Sequence, residues 1–478
     1  MSAQVLPRLK AGYAAADITP APGVTLSGFA ARRNQPSVGV HDPLTVHALA
    51  LEQGDQRVLL LSFDLLAIGE PLVRDIDRVL DASIGNSFPS RVRILSCTHT
   101  HSAPATIRLI GCGVEDEGYW QLLVGRTQDA AARAVLSLRE ARIRCAIESL
   151  PGKNFNRRIL LKDGSIVMAP HAQELVQRTG PGWDSFVFLR FDEASSGASI
   201  AGIIHWAAHP ATVCTAFVSG DYPAGLCRAL QAKEGVPFMF LQGASGDLSV
   251  PFRDMSFDDT RKVVEGIMAD LPPLAWREAP EETPMALLSE TIALRYQRPL
   301  PRQALERMAS AMRDISRGEP GDPSDIRILA NILNVPPGGT PDPEMLRHIA
   351  SILAEWAQQA AQGARGTSSA PALEVKVMRI GLIVFAFIAA EVFVETAYAI
   401  SRHFSRTPFA VVGYCAPLVG YLPTDEALQE GGYESEYAYR FYGHPAAFGK
   451  GSEQKLVAVV RRLAAQLGLA WQGSKSEN

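Results

Sequence analysis

The segment Val92-Arg93-Ile94-Leu95-Ser96-Cys97-Thr98-His99-Thr100-His101-Ser102 decides how this chain is read, because an apolar run delivers two histidines separated by one residue. If the strand opened by Val92 to Leu95 continues through them, alternation sends His99 and His101 to one face while Thr98 and Thr100 point away. A single metal ion or a single substrate would then meet both imidazoles. A lone histidine at a strand end is more often a hydrogen-bonded bystander, so the pair acquires meaning only from what the rest of the chain brings to it.

Upstream, residues 12 to 65 read as short strands and turns: Ala16-Asp17-Ile18-Thr19-Pro20, the glycine-rich Gly23 to Gly28, then Val46 to Leu51 and Val58 to Phe63, with Asp64 where the last run ends. Helical periodicity covers Val73 to Asp81 and Tyr119 to Glu140. Downstream, Ile143 to Ile147 is strand-like, and Lys153-Asn154-Phe155-Asn156-Arg157-Arg158 is a polar loop before the turn Asp163-Gly164. A strand from Ile200 to Trp206 runs into Ala207-Ala208-His209-Pro210, and Asp221 is placed to cap a helix from Pro223 to about Lys233. A further strand, Pro237 to Leu241, ends in Gln242-Gly243-Ala244-Ser245-Gly246-Asp247-Leu248-Ser249, whose glycines let backbone approach a ligand. Three apolar strands thus end in residues capable of chemistry, as expected where a site lies at one end of a sheet.

Residues 300–365 differ in character, with helical stretches Gln303 to Ile315 and Pro343 to Gln362 flanking the Pro/Gly-rich Gly318 to Pro323 and Pro336 to Pro343. They read as a helical insertion, a candidate lid, within one large domain. The core resumes with Leu373 to Ile380 and Leu382 to Ile388, a hairpin about Gly381 that leads to Glu391. A strand Phe409 to Val412, an aromatic loop from Tyr414 to Tyr442 and a helix Glu453 to Leu467 complete the chain. The expected fold class is α/β in the mixed α+β sense: a single catalytic domain over 1–478, with mixed β-sheets flanked by helices.

With 478 residues the chain buries a substantial core. A formal net charge of -4, with acidic and basic residues intermixed, leaves no basic tract to hold a phosphate backbone, so nucleic acid is not expected as a partner. The start, Met1 to Lys10, lacks the apolar core of a secretory signal. The longest uninterrupted apolar run, Leu382 to Ala390, is far shorter than the roughly 20 residues a bilayer requires. A soluble, cytoplasmic protein is the expectation. The six cysteines are dispersed with no CxxC pair, which suggests neither a disulfide framework nor a thiolate zinc site.

Where thiolates are not offered, zinc takes nitrogen and oxygen donors, and a hydrolytic site holds it with about three protein ligands plus water. His99, His209 and Glu391 each follow an apolar strand, which would bring them to one rim. Taken singly, His209 before Pro210 could as well stabilise a turn, and Glu391 could open a helix over Val392 to Ser401, where a carboxylate suits the dipole.

Taken together, Thr98-His99-Thr100-His101-Ser102, Trp206-Ala207-Ala208-His209-Pro210 with Ser219-Gly220-Asp221, Gly246-Asp247-Leu248-Ser249, and Gly420-Tyr421-Leu422-Pro423-Thr424 with Gly432-Tyr433-Glu434 resemble the catalytic domain of the neutral/alkaline ceramidases. The Ala16-Asp17-Ile18-Thr19-Pro20 opening and Val40-His41-Asp42-Pro43-Leu44 fit the same family, so the resemblance runs from about residue 12 to 468. It implies a zinc-dependent amidase that splits the amide of an N-acyl sphingoid base. Carried over by position, His99, His209, Glu391 and Tyr433 would be the metal ligands, with His101, Arg157, Ser249 and Tyr421 around the scissile amide. Ser249 would position substrate, because a zinc-activated water makes a serine nucleophile unnecessary. His101 or Tyr421 would stabilise the oxyanion, and His101 could instead pass a proton to the leaving amine. Asp64, Asp221 and Asp247 are open between caps or turn formers and partners that orient histidines.

Two departures touch the pocket. The turn after the histidine motif reads Ser102-Ala103-Pro104-Ala105 where the family has a glycine on each side of the proline, and Glu391 follows Ala389-Ala390 where the family has Pro-Gly. Neither removes a donor. The family's carboxy-terminal β-sandwich is not expected in this chain. The expected substrate is therefore a small-molecule N-acyl amide with an apolar portion. Ester or lactone hydrolysis on the same site, or a relative that binds N-acyl ligands without cleaving them, are the alternatives. A homo-oligomer is left open.

Overall fold

The computed structural model describes residues 6–168, 175–335, 339–363, 370–404 and 407–469. Residues 336–338 of the expected Pro/Gly-rich stretch, residues 364–365 of the helical segment and Met1 to Val5 lie outside the described residues.

A nine-stranded sheet forms the frame, its strands running in space as Phe238–Gln242, Ser199–Trp206, Ser185–Glu193, Arg139–Ser149, Lys10–Asp17, Thr45–Gln53, Gln56–Phe63 and Arg93–Cys97, with Arg277–Glu278 paired beside Arg139–Ser149. Its interior is antiparallel, whereas each edge carries one parallel pair, Ser199–Trp206 with Phe238–Gln242 and Gln56–Phe63 with Arg93–Cys97. The apolar run Val58 to Phe63 follows from burial on both faces: Val58, Leu60 and Ile94 enter one core, while Leu59, Leu61, Phe63 and Leu95 enter another. Each such fully buried aliphatic side chain contributes roughly 1.5–3 kcal/mol relative to exposure. Helices Glu70–Ile84 and Glu117–Leu136 cover the second of these faces through Leu72, Ile76, Leu80 and Leu123.

The two edges of this sheet are drawn together. Ser62 Oγ donates to Phe240 O at 2.6 Å and Gln242 Nε2 to Thr98 O at 3.1 Å. A second, four-stranded sheet, Ala286–Ala293, Ala372–Ile380, Ile383–Ile388 and Phe409–Val412, docks across that seam through the bridges Ser96 to Cys415 and Gly243 to Val412. A short parallel ladder then pairs Glu391 with Tyr421 and Val392 with Leu422. Helices Arg302–Ser316, Pro323–Ile332 and Pro343–Gly363 form a third core with Ile107, Leu109, Ile110, Tyr437 and Phe441. Among the described residues no helix is long and apolar enough to cross a membrane, and all six cysteines are free.

The mixed α/β class is as expected, and so is the hairpin, which closes at Gly381-Leu382 with Ile380 opposite Ile383. The structure departs in several places. The strand stops at Cys97 and does not continue through the histidines. The second helix ends at Leu136, because Arg139 and Glu140 already belong to the strand Arg139–Ser149. Asp221 is the first helical residue and binds Thr212 Oγ1 at 2.7 Å, with Gly220 in the capping position. Glu391 and Val392 are strand, the next helix starting at Val394. Helices Phe257–Asp270 and Pro323–Ile332 have no counterpart in the sequence reading. The polar loop at Lys153 contains a two-residue strand, Phe155–Asn156, paired with Leu248–Ser249.

Candidate metal centre

His99 owes its direction to a backbone reversal. Thr98 N donates to Phe63 O and His99 N to Leu65 O, both at 2.9 Å, and His99 adopts a left-handed φ of 68°. That conformation is uncommon for a residue with a side chain and costs on the order of 1 kcal/mol or more. It breaks the strand alternation, yet the imidazoles still converge: the His99 and His101 rings are 5.0 Å apart and nearly perpendicular. His209, beyond the end of Ser199–Trp206, is fixed by His209 N to Leu248 O at 3.1 Å.

Each of these two rings is anchored at Nδ1 by a carbonyl, His99 to Leu66 O at 2.8 Å and His209 to Ser245 O at 3.0 Å. A carbonyl only accepts, so in both rings Nδ1 carries the proton and Nε2 presents a lone pair. Those two Nε2 atoms face one another at 3.1 Å. Glu391 Oε2 lies 3.3 Å from His99 Nε2 and 3.9 Å from His209 Nε2, buried and without a hydrogen-bond partner. Three potential ligand atoms thus lie within 3.9 Å of one another. Burial, reinforced by Arg157, holds the His209 ring well below the usual imidazole range, so it remains neutral rather than supplying a proton. A divalent cation is the group that satisfies such a donor set.

His101 completes a set of three imidazoles whose nitrogens lie within 4.8 Å of one another. Neither of its ring nitrogens has a hydrogen-bond partner. Burial, with help from His99, Arg32 and Arg157, keeps it neutral. Its main chain is clamped by the buried Arg32, whose Nη1 donates to His101 O at 2.5 Å and Nη2 to Ser102 Oγ at 3.0 Å. Gly28, at φ +101°, makes room for the ring: a Cβ there would stand 2.6 Å from His101 Nδ1.

The opposite wall is built from side chains that hold one another. Arg157 Nε donates to Glu434 Oε1 at 2.9 Å, and its Nη2 donates to Tyr421 Oη at 2.9 Å and Gly246 O at 2.8 Å. Arg158 Nη1 reaches Glu434 Oε2 at 3.0 Å. Burial alone would neutralise both ions, but Tyr421, Glu434 and Glu391 raise the Arg157 guanidinium, and the two arginines hold the Glu434 carboxylate below its usual range. Tyr421 stands opposite Glu391 in the short ladder. Tyr433 opens an irregular helical turn, Tyr433–Tyr437, its ring 6.2 Å from that of Tyr421. Burial pushes both phenols up. Ser249 bridges His209 in a parallel ladder and therefore shares its face, with Oγ donating to Val250 O at 3.3 Å.

The eight residues singled out from the sequence are thus gathered in one region. Three more had no signal of their own in the sequence: Arg32; Tyr414, whose ring lies 4.1 Å from that of His99; and Tyr442, whose hydroxyl donates to Glu391 Oε1. Gly28 reads in the sequence only as part of the glycine-rich stretch Gly23 to Gly28. Carbonyls orient the two anchored histidines. Asp64, Asp221 and Asp247 bind main-chain amides instead: Asp64 takes Thr45 N, Asp221 takes Thr212 N, and Asp247 takes Val394 N.

The family model described as neutral/alkaline non-lysosomal ceramidase, N-terminal, matches residues 9–229. The matched region holds all three imidazoles, as well as Arg157. A crystal structure of neutral ceramidase from Pseudomonas aeruginosa is 18% identical with a TM-score of 0.66, covering 98% of this chain and 76% of the other. A ceramidase described as complexed with C2 is 17% identical with a TM-score of 0.65, covering 98% and 77%. At such identities the likeness establishes the fold, and it extends that fold beyond residue 229. No curated protein matches significantly.

Proposed function

We propose that this chain is a zinc-dependent amidohydrolase acting on an N-acyl, ceramide-like amide. The observation that carries the reading is the convergence of His99 Nε2, His209 Nε2 and Glu391 Oε2 in one buried cluster. Imidazole and carboxylate donors without thiolate suit zinc, and the match of residues 9–229 to the neutral/alkaline ceramidase family model supports ceramide-like amides as the substrate class. The fourth donor is a phenol. Tyr421 has a stronger claim than Tyr433, because it is the direct ladder neighbour of Glu391 and because Arg157 Nη2 donates to its oxygen and so orients it.

When bound there, zinc would lower the pKa of a water molecule towards neutrality and polarise the scissile carbonyl. The chain's own residues do the rest. Neutral His101, with no other hydrogen-bond partner, is available to donate a hydrogen bond to the developing oxyanion, or to take up the proton released by the attacking water and pass it to the leaving amine. Arg157 holds the phenol, and Ser249, on the face of His209, positions the amide. Burial of His99, His209 and Glu391 excludes bulk water and strengthens each of these interactions.

The test is metal content together with hydrolysis. Zinc-reconstituted protein is expected to hold about one ion per chain and to release free acid from N-acyl amines or ceramides, with ester analogues as the comparison. Absence of stoichiometric zinc, or binding of N-acyl ligands without release of acid across the panel, overturns the proposal.

A further inference from the structure

Resting on the metal reading above, we propose that Tyr442 is the residue that positions Glu391, holding one carboxylate oxygen so that only the other is offered to the ion. The Tyr442 hydroxyl donates to Glu391 Oε1, while Oε2 is left without a partner and aimed at His99 and His209. An ionised carboxylate is an acceptor with two equivalent oxygens. Without a donor on one of them, rotation about its last bond exchanges the two and permits bidentate as well as single-oxygen contact. The phenol removes that freedom.

The surroundings show that the phenol is itself held. Its ring lies nearly parallel to that of His444, at 11° and 6.1 Å. His444 is pinned at both nitrogens, Nε2 to Val419 O at 2.8 Å and Nδ1 against Tyr296 Oη at 2.9 Å. The carbonyl at Nε2 requires a proton there, which leaves Nδ1 to accept from Tyr296. Beneath the ring lies Gly420, at φ +98°, where a Cβ would come within 3.1 Å of the Tyr442 ring. The carbonyl of the same glycine accepts from Glu391 N at 2.9 Å. One residue therefore sets the height of the ring and the position of the glutamate backbone together.

The experiment compares Tyr442→Phe with the unaltered chain and with His99→Ala, by competition for zinc against a chromophoric chelator and by the visible spectrum of the cobalt-substituted proteins. Loss of a partner that orients a ligand typically costs 10–100-fold in metal affinity. Tyr442→Phe is expected to weaken zinc binding by that factor and to alter the cobalt spectrum, as the carboxylate gains a second mode of contact. Tyr437→Phe, whose hydroxyl accepts from Asn331 at 3.0 Å, should change neither. Wild-type affinity and spectrum in Tyr442→Phe overturn the proposal. If His99→Ala also binds zinc like the unaltered chain, the metal reading itself has failed; if His99→Ala loses zinc while Tyr442→Phe keeps it, only the role of Tyr442 has. Should Tyr442→Phe not fold, His444→Gln keeps the phenol but frees its ring: weaker zinc binding supports the proposal, and wild-type binding overturns it.

Discussion

The two sides of the site are built by different means. On the histidine side, His99 and His209 are oriented by main-chain carbonyls at the ends of packed strands. On the facing side, Arg157, Arg158, Glu434 and Tyr421 are held mainly by one another, with Arg157 also reaching Gly246 O and Arg158 reaching Gly431 O. These carbonyls belong to the loops that leave the strands Gln56–Phe63 and Phe238–Gln242, and they survive the loss of any single side chain. A network of buried ions is coupled, so removing one member leaves the others unpaired.

That contrast predicts where function and stability separate. His209→Ala removes a proposed ligand but breaks no ion pair, so it should abolish stoichiometric zinc and reduce turnover by on the order of 10³-fold, the equivalent of several kcal/mol of lost electrostatic stabilisation. Its apo form should unfold near the wild-type midpoint, and a loss of stability as large as that of turnover would break the comparison. Glu434→Gln is the converse. The carboxylate is fully buried between two guanidinium groups, and removing its charge is expected to cost about 3 kcal/mol in urea unfolding, towards the low end for a broken buried pair because Glu430 lies 3.7 Å from Arg158. A change under about 1 kcal/mol would show that the network is relaxed by solvent and not coupled.

The same division governs what could be read before the structure. The apolar runs, the three strand-end positions and the hairpin before Glu391 are local patterns, and they emerge where expected. The histidine pair was found for a reason that proves incomplete. Alternation along a strand does not continue past Cys97, and the left-handed turn at His99 has no marker in Thr98-His99-Thr100. On the facing side almost nothing is local. The partnership of Glu391 with Tyr421 spans 30 positions and is set by a parallel ladder that only the tertiary fold creates, so spacing gives no ground for choosing between Tyr421 and Tyr433. Tyr442 is one of many aromatics in its loop and is distinguished only by what it touches. Apolar residues at mixed three and four spacing carry the helical pattern on through Glu140, and pairing with Ser185–Glu193 decides for the strand.

The smallest expected effect lies beneath the histidine side. Asp64 follows the strand Gln56–Phe63 and binds Thr45 N at 3.0 Å, and the next two residues supply the carbonyls that hold His99 N and Nδ1. Burial pushes the Asp64 carboxyl up to about 7, with Asp42 adding to the shift and the Thr45 amide and Arg228 opposing it. In the unfolded chain the group titrates near 3.9. Between about pH 4 and pH 7 the folded state therefore holds more protons than the unfolded one, and this group's contribution to stability falls as pH rises through that window. Asp64→Asn keeps an acceptor for Thr45 but does not titrate, so its unfolding free energy should decline less steeply from pH 4 to pH 7, by at most about 1.4 kcal/mol per pH unit for one proton. Denaturant midpoints at four pH values measure the two slopes. Equal slopes would mean that Asp64 is ionised in the folded state. The histidine side would then rest, like its neighbour across the site, on a buried charge as well as on the main chain.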